Sequence, residues 1–417
     1  MVDIAHQRSK VSGMNTLNPV RFLDRTSPPH ILTLTLLAGI SALNMSIFLP
    51  SLSGMTEYFG TSYATMQLAV SGYFLATAVI QFVIGPISDK FGRRTVVLVS
   101  LSIFILATIG AMLSTTAEMF LFFRLLQAAV ATSISLSRAI VRDMFDTRKA
   151  ASMIGYVTMG MALVPMVGPM IGGAIDEAFG WQAIFTFLTI AGIAVLLLCY
   201  FDLGETVRGG GMGFADQLRT YPELLKSPRF WGYTAAAAFG SGAFFALLGG
   251  ASYVSATVFG LTPFWSGVAL GAPAIGYAVG NGISGRFTER FGINAMALAG
   301  SIITVVGLGI SLILTLSGIT SAFLFFSFVT FLGLGNGLLM PNTSVGLMSV
   351  RPHLAGTASG LGAAIMITGG AVLSQLAGTL LDGGDSALPL QLVMVSTSAL
   401  ACLSMIFVIV RARQVEG

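Results

Sequence analysis

The sequence predicts an all-α membrane protein with twelve transmembrane helices in two six-helix pseudo-repeats. Three observations carry this. The 417 residues are 55% hydrophobic and 9% charged, against about 25% charged in soluble domains. Apolar runs of spanning length, about 20 residues each, recur along the chain. A dense polar stretch, Gly85-Pro86-Ile87-Ser88-Asp89-Lys90-Phe91-Gly92-Arg93-Arg94, has a weaker copy in Gly285-Arg286-Phe287-Thr288-Glu289-Arg290-Phe291-Gly292. Glu289 falls at the Asp89 position and Arg290 at Lys90. The copy has Ile293 and Asn294 in place of the arginine pair.

In order, the chain starts with a polar tail, 1–30, ending at Pro28-Pro29. Its polarity, and the length of the first apolar run, predict no cleavable signal. A first six-helix bundle covers 31–203, with spans near 31–54, 65–84, 95–114, 119–141, 151–175 and 181–202. A central loop follows at 204–229, with Gly209-Gly210-Gly211, Pro222 and Pro228. Within it, Phe214 to Leu225 reads either as a short surface helix or as a plain linker. The second bundle, 230–411, has spans near 230–254, 265–286, 293–316, 320–347, 355–381 and 388–410, and 412–417 is a short tail. Two like halves imply a parallel duplication about an axis normal to the membrane.

Charge fixes the predicted orientation. With the N-terminus inside, the outer loops contain no Lys or Arg, only Glu57, Glu118, Asp176, Glu177, Asp382 and Asp385. The bases, Lys90, Arg93, Arg94, Arg142, Arg286, Arg290 and Arg351 among them, fall on the inner side, except Arg124 and Arg138 within span four, as expected for a chain with both termini cytoplasmic. The net charge of +4 therefore reports topology, not nucleic-acid binding. Cys199 and Cys402 lie inside apolar runs and offer no disulfide framework or metal spacing. No zinc-protease or nucleotide-loop motif is present, and no mid-span base stands beside a serine, so the chain does not read as an enzyme and no cofactor is expected.

Polar residues inside spans are costly and usually face a neighbour or a cavity. Span four holds Arg124, Gln127, Ser135, Arg138 and Arg142, which on a regular helix project within about 60° of one direction. They read as a cavity-lining stripe or as arginines reaching for headgroups. Asn44 and Phe48 in span one, and Tyr73, Thr77 and Gln81 in span two, either meet a solute or brace a neighbouring helix. Span five carries Pro165, Gly168, Pro169, Gly172 and Gly173, read as a bend or as close packing. In the second half Phe245, Tyr277, Asn281 and Asn336 are cavity candidates. The Gly335-Asn336-Gly337 and Pro341-Asn342 runs predict irregular helix at depth. Asp89 and Glu289 are expected to sit against helix N-termini of spans eleven and five, as latches for one conformation.

Several stretches in series resemble the Bcr/CflA drug exporters of the drug:proton antiporter branch of the major facilitator superfamily. They are Phe48-Leu49-Pro50, Gly85 to Arg94, Arg124-x-x-Gln127, Arg138 to Asp143, Pro165 to Gly173, Gly333 to Asn342 and Ala355 to Ser359. The resemblance covers nearly the whole chain from Ile31. It implies the major facilitator fold, a bacterial inner-membrane location, alternating access, and proton-coupled export of small amphiphilic compounds or drugs. It also implies a role for Arg124 with the coupling proton and for Pro165 to Gly173 in antiport direction. Gating roles for Arg93, Arg138 and Asp143 are expected beside these. Many family members carry an acid just before the aromatic-Leu-Pro triplet; here Asn44 and Ser46 stand nearby. The acids Glu57, Asp89 and Asp143 are then alternative proton carriers; the alternative function is an exporter or uniporter of a native metabolite such as an amino-acid derivative or sugar, and behind it a non-transporting membrane sensor. The expected partners are a small-molecule substrate, protons and the bilayer, with the chain a monomer.

Overall fold

A computed structural model describes residues 22–145, 147–206 and 221–416. Ten of its helices are long and apolar enough to cross a membrane. These are α1 (Ile31–Phe59), α2 (Tyr63–Phe91), α3 (Arg93–Met112), α4 (Ala117–Met144), α6 (Trp181–Asp202), α7 (Pro228–Val258), α9 (Ile293–Leu316), α10 (Ala322–Ser349), α11 (Ala355–Leu381) and α12 (Leu388–Ala412). Two more, α5 (Thr147–Phe179) and α8 (Pro263–Phe291), have 33 and 29 residues, about 50 and 44 Å at 1.5 Å per residue. Glycines at 267, 271, 276, 280, 282 and 285 dilute the hydropathy of α8. The described residues are thus all-helical, with six long helices before the central segment and six after it.

The repeat is visible in backbone geometry. Gly92 joins α2 to α3 with φ 89° and ψ 143°, and Gly292 joins α8 to α9 with φ 82° and ψ 157°. This positive-φ conformation favours glycine, and each glycine ends one helix while preceding the next. The expected polar loops are therefore not loops. Helix α2 continues to Phe91 and α8 to Phe291, so each connection shrinks to one glycine. The charges of both stretches ride on the last helical turns.

The expectation of irregular helix at depth in α10 also needs correcting. α5 runs unbroken through Pro165 and Pro169, and α10 through Gly335, Gly337 and Pro341. Irregular backbone lies elsewhere: a 3₁₀ turn at Leu49–Ser51 in α1, another at Gln127–Ala131 in α4, and a π turn at Val254–Val258 in α7. The turn in α4 splits the predicted arginine stripe. Five residues wound at about 120° instead of 100° each rotate the lower half by about 100°. Arg124 and Gln127 are buried, whereas Arg138 and Arg142 are exposed.

The halves meet along two seams. α5 packs on α8 and also on α1 of its own half, while α2 packs on α11. The cross-half hydrogen bonds among the described residues lie at the end of the molecule where α2 and α8 start, most of them around the start of α2. Tyr63 Oη donates to Gly249 O (3.0 Å), Gln67 Nε2 to Ser374 Oγ (2.9 Å), Ser71 Oγ to Gln375 Oε1 (2.7 Å) and Gln375 Nε2 to Ala64 O (2.9 Å). The largest apolar cluster crosses between the halves, including Phe74 on Phe245 with ring centroids 4.9 Å apart. A second cluster, around Phe230, Tyr233 and Leu347, belongs to the second half alone. At the Gly92 and Gly292 end no cross-half hydrogen bond is found among the described residues, and a Cβ placed on Gly85, Gly282, Gly285, Gly356 or Gly360 would meet nothing within 4 Å. The molecule has one tight end and one splayed end.

Residues 1–21 and 207–220 lie outside the described residues, so most of the basic tail and of the proposed 214–225 surface helix are not placed; residues 221–225 are helical.

Candidate functional site in the first half and between the halves

Arg124 is the centre of the first half. It is 1% exposed, and Asn44, Phe48, Tyr73 and Gln127 around it are 0–2% exposed. One guanidinium nitrogen, Nη1, donates to Asn44 Oδ1 (2.9 Å) and Gln127 Oε1 (2.7 Å). Nη2 donates to Asn44 O (2.9 Å) and Nε to Ala69 O (3.1 Å). The rings of Phe48 and Tyr73 lie 4.2 and 4.4 Å from the guanidinium carbon. Gln127 in turn donates to Thr108 Oγ1 at 2.8 Å. No carboxylate ion-pairs with Arg124 among the described residues. The charge is held instead by neutral oxygens and two π faces, an arrangement that the planar, weakly hydrated guanidinium suits better than an ammonium.

Five of the sequence candidates thus converge, from α1, α2 and α4, but as a sealed cluster and not as an open wall. Two polar atoms in it have no partner, Asn44 Nδ2 and Tyr73 Oη; a third, Thr77 Oγ1, lies one turn further along α2. Gln81, the next in that row, is half-buried. Across the molecule Asn336 is 6% exposed with its Oδ1 unpartnered. Phe245 packs on Phe74, and Tyr277 is half-buried. Asn281 does not project freely, because its Nδ2 bonds back to Tyr277 O at 2.8 Å.

At the splayed end Arg93 lies between two acids. It meets Asp89 at 2.7 Å and Asp143 at 3.2 Å, and also bonds Ser88 Oγ. Asp89 is therefore on its own i+4 arginine and not at the start of α11. Glu289 is exposed, with no described partner; its half has Ile293 where Arg93 would be.

The span-five run is a packing surface. A Cβ on Gly172 would overlap Ile47 O of α1, and one on Gly173 would overlap Pro263 O of α8. Gly168 is buried against Ser46 Oγ at 3.0 Å from such a Cβ. Pro169 O in turn would be overlapped by a Cβ on Gly267 of α8, so Pro169 belongs to the cross-half seam, and Pro165 is half-buried.

Sequence reasoning missed two acids near the splayed end. Asp202, 0% exposed, accepts from Leu23 N (2.7 Å), His30 N (2.9 Å) and Thr33 Oγ1 (2.6 Å), tying the entry to α1 onto the end of α6. Glu205 accepts from Arg93 N (2.9 Å) and Arg94 N (3.3 Å) at the start of α3. A buried acid closing an apolar span, as Asp202 does, was the available signal.

Residues 34–410 match the family model described as Major Facilitator Superfamily. The chloramphenicol resistance protein of Pseudomonas aeruginosa is 29% identical over 82% of this chain and 81% of that protein. Multidrug resistance protein D of Escherichia coli is 26% identical over 89% of this chain and 94% of that protein. Among solved structures, a bacterial homolog of the human lysosomal transporter Spinster superposes with a TM-score of 0.72 at 16% identity, covering 92% of this chain and 96% of the other. That likeness concerns the fold.

Proposed function

We infer the function from one premise: the chain belongs to the Major Facilitator Superfamily. It is a secondary transporter of small molecules, and relatives named for chloramphenicol and multidrug resistance support export of drugs or similar amphiphiles. The observation that carries the mechanism is the contrast between the two ends. All described cross-half hydrogen bonds gather at one end, and none is found among the described residues at the other. Two bundles arranged so can rock about the seam and expose the interior to each side in turn. Basic residues crowd the splayed end and only acids line the tight one. The positive-inside rule then makes the splayed end cytoplasmic, in the inner membrane of a bacterial cell, with the chain ready to load from inside.

The interior favours neutral, zwitterionic or anionic amphiphiles over strong cations. Among the described residues the buried charge inside the spans is Arg124, sealed within the first half, since the buried Asp202 ends α6; Asn44 Nδ2, Tyr73 Oη and Asn336 Oδ1 add unpartnered polar atoms. Coupling to protons is the family expectation. No acid stands at Asn44 or Ser46 in the first helix, so acids toward the open end, Asp89 and Asp143 on Arg93 among them, are the candidate proton carriers. Export of a native metabolite uses the same geometry. The test is transport in proteoliposomes under an imposed pH gradient. Substrate-triggered collapse of the gradient supports antiport. Uptake indifferent to it leaves a uniporter, and lipophilic cations as the best substrates would falsify the charge argument.

A further inference from the structure

We propose that Glu177 and Asp382 are a reciprocal pair of latches that hold the tight end shut, each a carboxylate of one half set on a helix N-terminus of the other. Glu177, in the last turn of α5, accepts from the backbone N–H of Phe264 at the start of α8 (Oε2, 3.3 Å). Asp382, which ends α11, accepts from the backbone N–H of Tyr63 at the start of α2 (Oδ1, 3.2 Å). α5 and α11 are the fifth helices of the two halves, and α2 and α8 the second. The same join is therefore made twice, in opposite directions, across the pseudo-twofold axis.

Three features separate these contacts from incidental surface bonds. First, the receiving groups need partners. The first N–H groups of a helix have none within it, and Thr262, which precedes α8, makes no side-chain cap. Ser62 caps α2 only at Thr65 N, leaving Tyr63 N to Asp382. Secondly, each acid is at the C-terminal end of its own helix, where the dipole disfavours it, and at the N-terminal end of its partner, where the dipole favours it. Both acids are exposed, and the cross-half contact offsets the local conflict that solvent leaves. Thirdly, no lysine or arginine occupies the loops at this end, so no cation competes for either carboxylate. The neighbours are Asp176 beside Glu177, and Tyr253, whose ring is 4.8 Å from that of Tyr63 and whose hydroxyl holds Gly384 O.

The inference rests on alternating access, because opening this end requires both joins to break. A carboxylate on a helix N-terminus contributes about two- to fivefold in an equilibrium. The joins sit on separate seams, so their effects multiply.

The test is the reaction of a cysteine buried in the seam, Ser252→Cys, with a membrane-impermeant maleimide added from the tight-end side. Ser252 is 0% exposed and faces Ser53 at 3.4 Å between their Oγ atoms. Cys199 is buried and Cys402 half-buried, which keeps background low. Glu177→Gln and Asp382→Asn each keep an acceptor and remove the charge. Each is expected to raise the labelling rate about two- to fivefold, the pair about four- to 25-fold. Glu177→Asp should restore part of the parent rate, and Glu118→Gln, an exposed acid on the same side, should change nothing. A double amide variant that elutes as folded protein and labels at the parent rate overturns the proposal. If an amide variant does not fold, unmutated latches are tested by raising salt, which screens exposed charges: faster labelling supports the latch and a flat rate overturns it. Labelling needs no substrate. A chain that fails to transport yet labels as expected sinks the export reading and leaves the latch; the reverse sinks the latch alone.

Discussion

Arg124 holds Asn44 twice, by the side-chain oxygen and by the backbone carbonyl, each at 2.9 Å. The carbonyl is available because α1 is about to leave regular geometry: its first α-helical stretch ends at Ser46, and a 3₁₀ turn follows at Leu49–Ser51. The guanidinium thus closes a gap in α1 from α4, and Gln127 braces it from the first residue of the 3₁₀ turn in α4. Local irregularity in two helices is the counterpart of one buried cation.

Removing that cation should be severe. Arg124→Ala leaves Asn44 O, Asn44 Oδ1, Gln127 Oε1 and Ala69 O without their donor, and bare buried acceptors cost about 1–3 kcal/mol each before relaxation and water entry. A net loss of about 3–5 kcal/mol is expected, read as a lowered thermal midpoint in detergent. Arg124→Lys keeps the charge but not the fork, and should lose about 1–3 kcal/mol together with transport.

Asp202 gives a second large effect, far from any cavity. Asp202→Ala strips the acceptor from Leu23 N, His30 N and Thr33 Oγ1 and should cost about 2–4 kcal/mol. Asp202→Asn retains one acceptor oxygen and should cost less. Because the acid fastens the entry to α1, hydrogen exchange at residues 23–33 should rise in Asp202→Ala before exchange rises elsewhere.

The Asp89–Arg93–Asp143 group should behave as a network and not as two independent surface pairs. Arg93 is 11% exposed at its side chain and its partners 29% and 24%. A double-mutant cycle on Arg93→Gln and Asp143→Asn should give a coupling of about 0.5–1 kcal/mol, weakened by salt. A coupling near zero would show that only the Asp89 contact within its own helical turn matters.

The hydrophobic runs and the charge asymmetry sufficed to read the helix order, because spanning length and the cost of charge in lipid act on composition alone. Residue-level roles were less legible. The convergence of Asn44, Phe48, Tyr73 and Gln127 on Arg124 could be suspected from polar residues inside spans. Their burial could not, since a 100° repeat does not say which side meets a neighbour. The α4 stripe failed for one local reason: the 3₁₀ turn at Gln127–Ala131 has no proline or glycine to announce it. The reverse error occurred at Pro341, where proline signals a break that α10 absorbs. Asp202 was overlooked because its partners lie more than 160 positions away in the chain.

The glycines allow a final prediction in which one substitution distinguishes packing from open space. Gly172→Ala and Gly173→Ala would force a methyl into Ile47 O and Pro263 O, both backbone atoms that cannot rotate aside. Each should cost about 1–3 kcal/mol. Gly173→Ala acts across the two halves, so it should also loosen the tight end, whereas Gly172→Ala acts within the first half and should not. Gly85→Ala and Gly285→Ala meet nothing within 4 Å in this conformation and lie inside helices, where alanine is favoured over glycine by about 0.5–1 kcal/mol. They should leave the thermal midpoint unchanged or slightly raised. If the splayed end closes during transport, those same methyls come to lie where the halves must approach, and turnover should fall while stability does not. Equal turnover in Gly85→Ala, Gly285→Ala and the parent would mean that the two halves never meet along these faces.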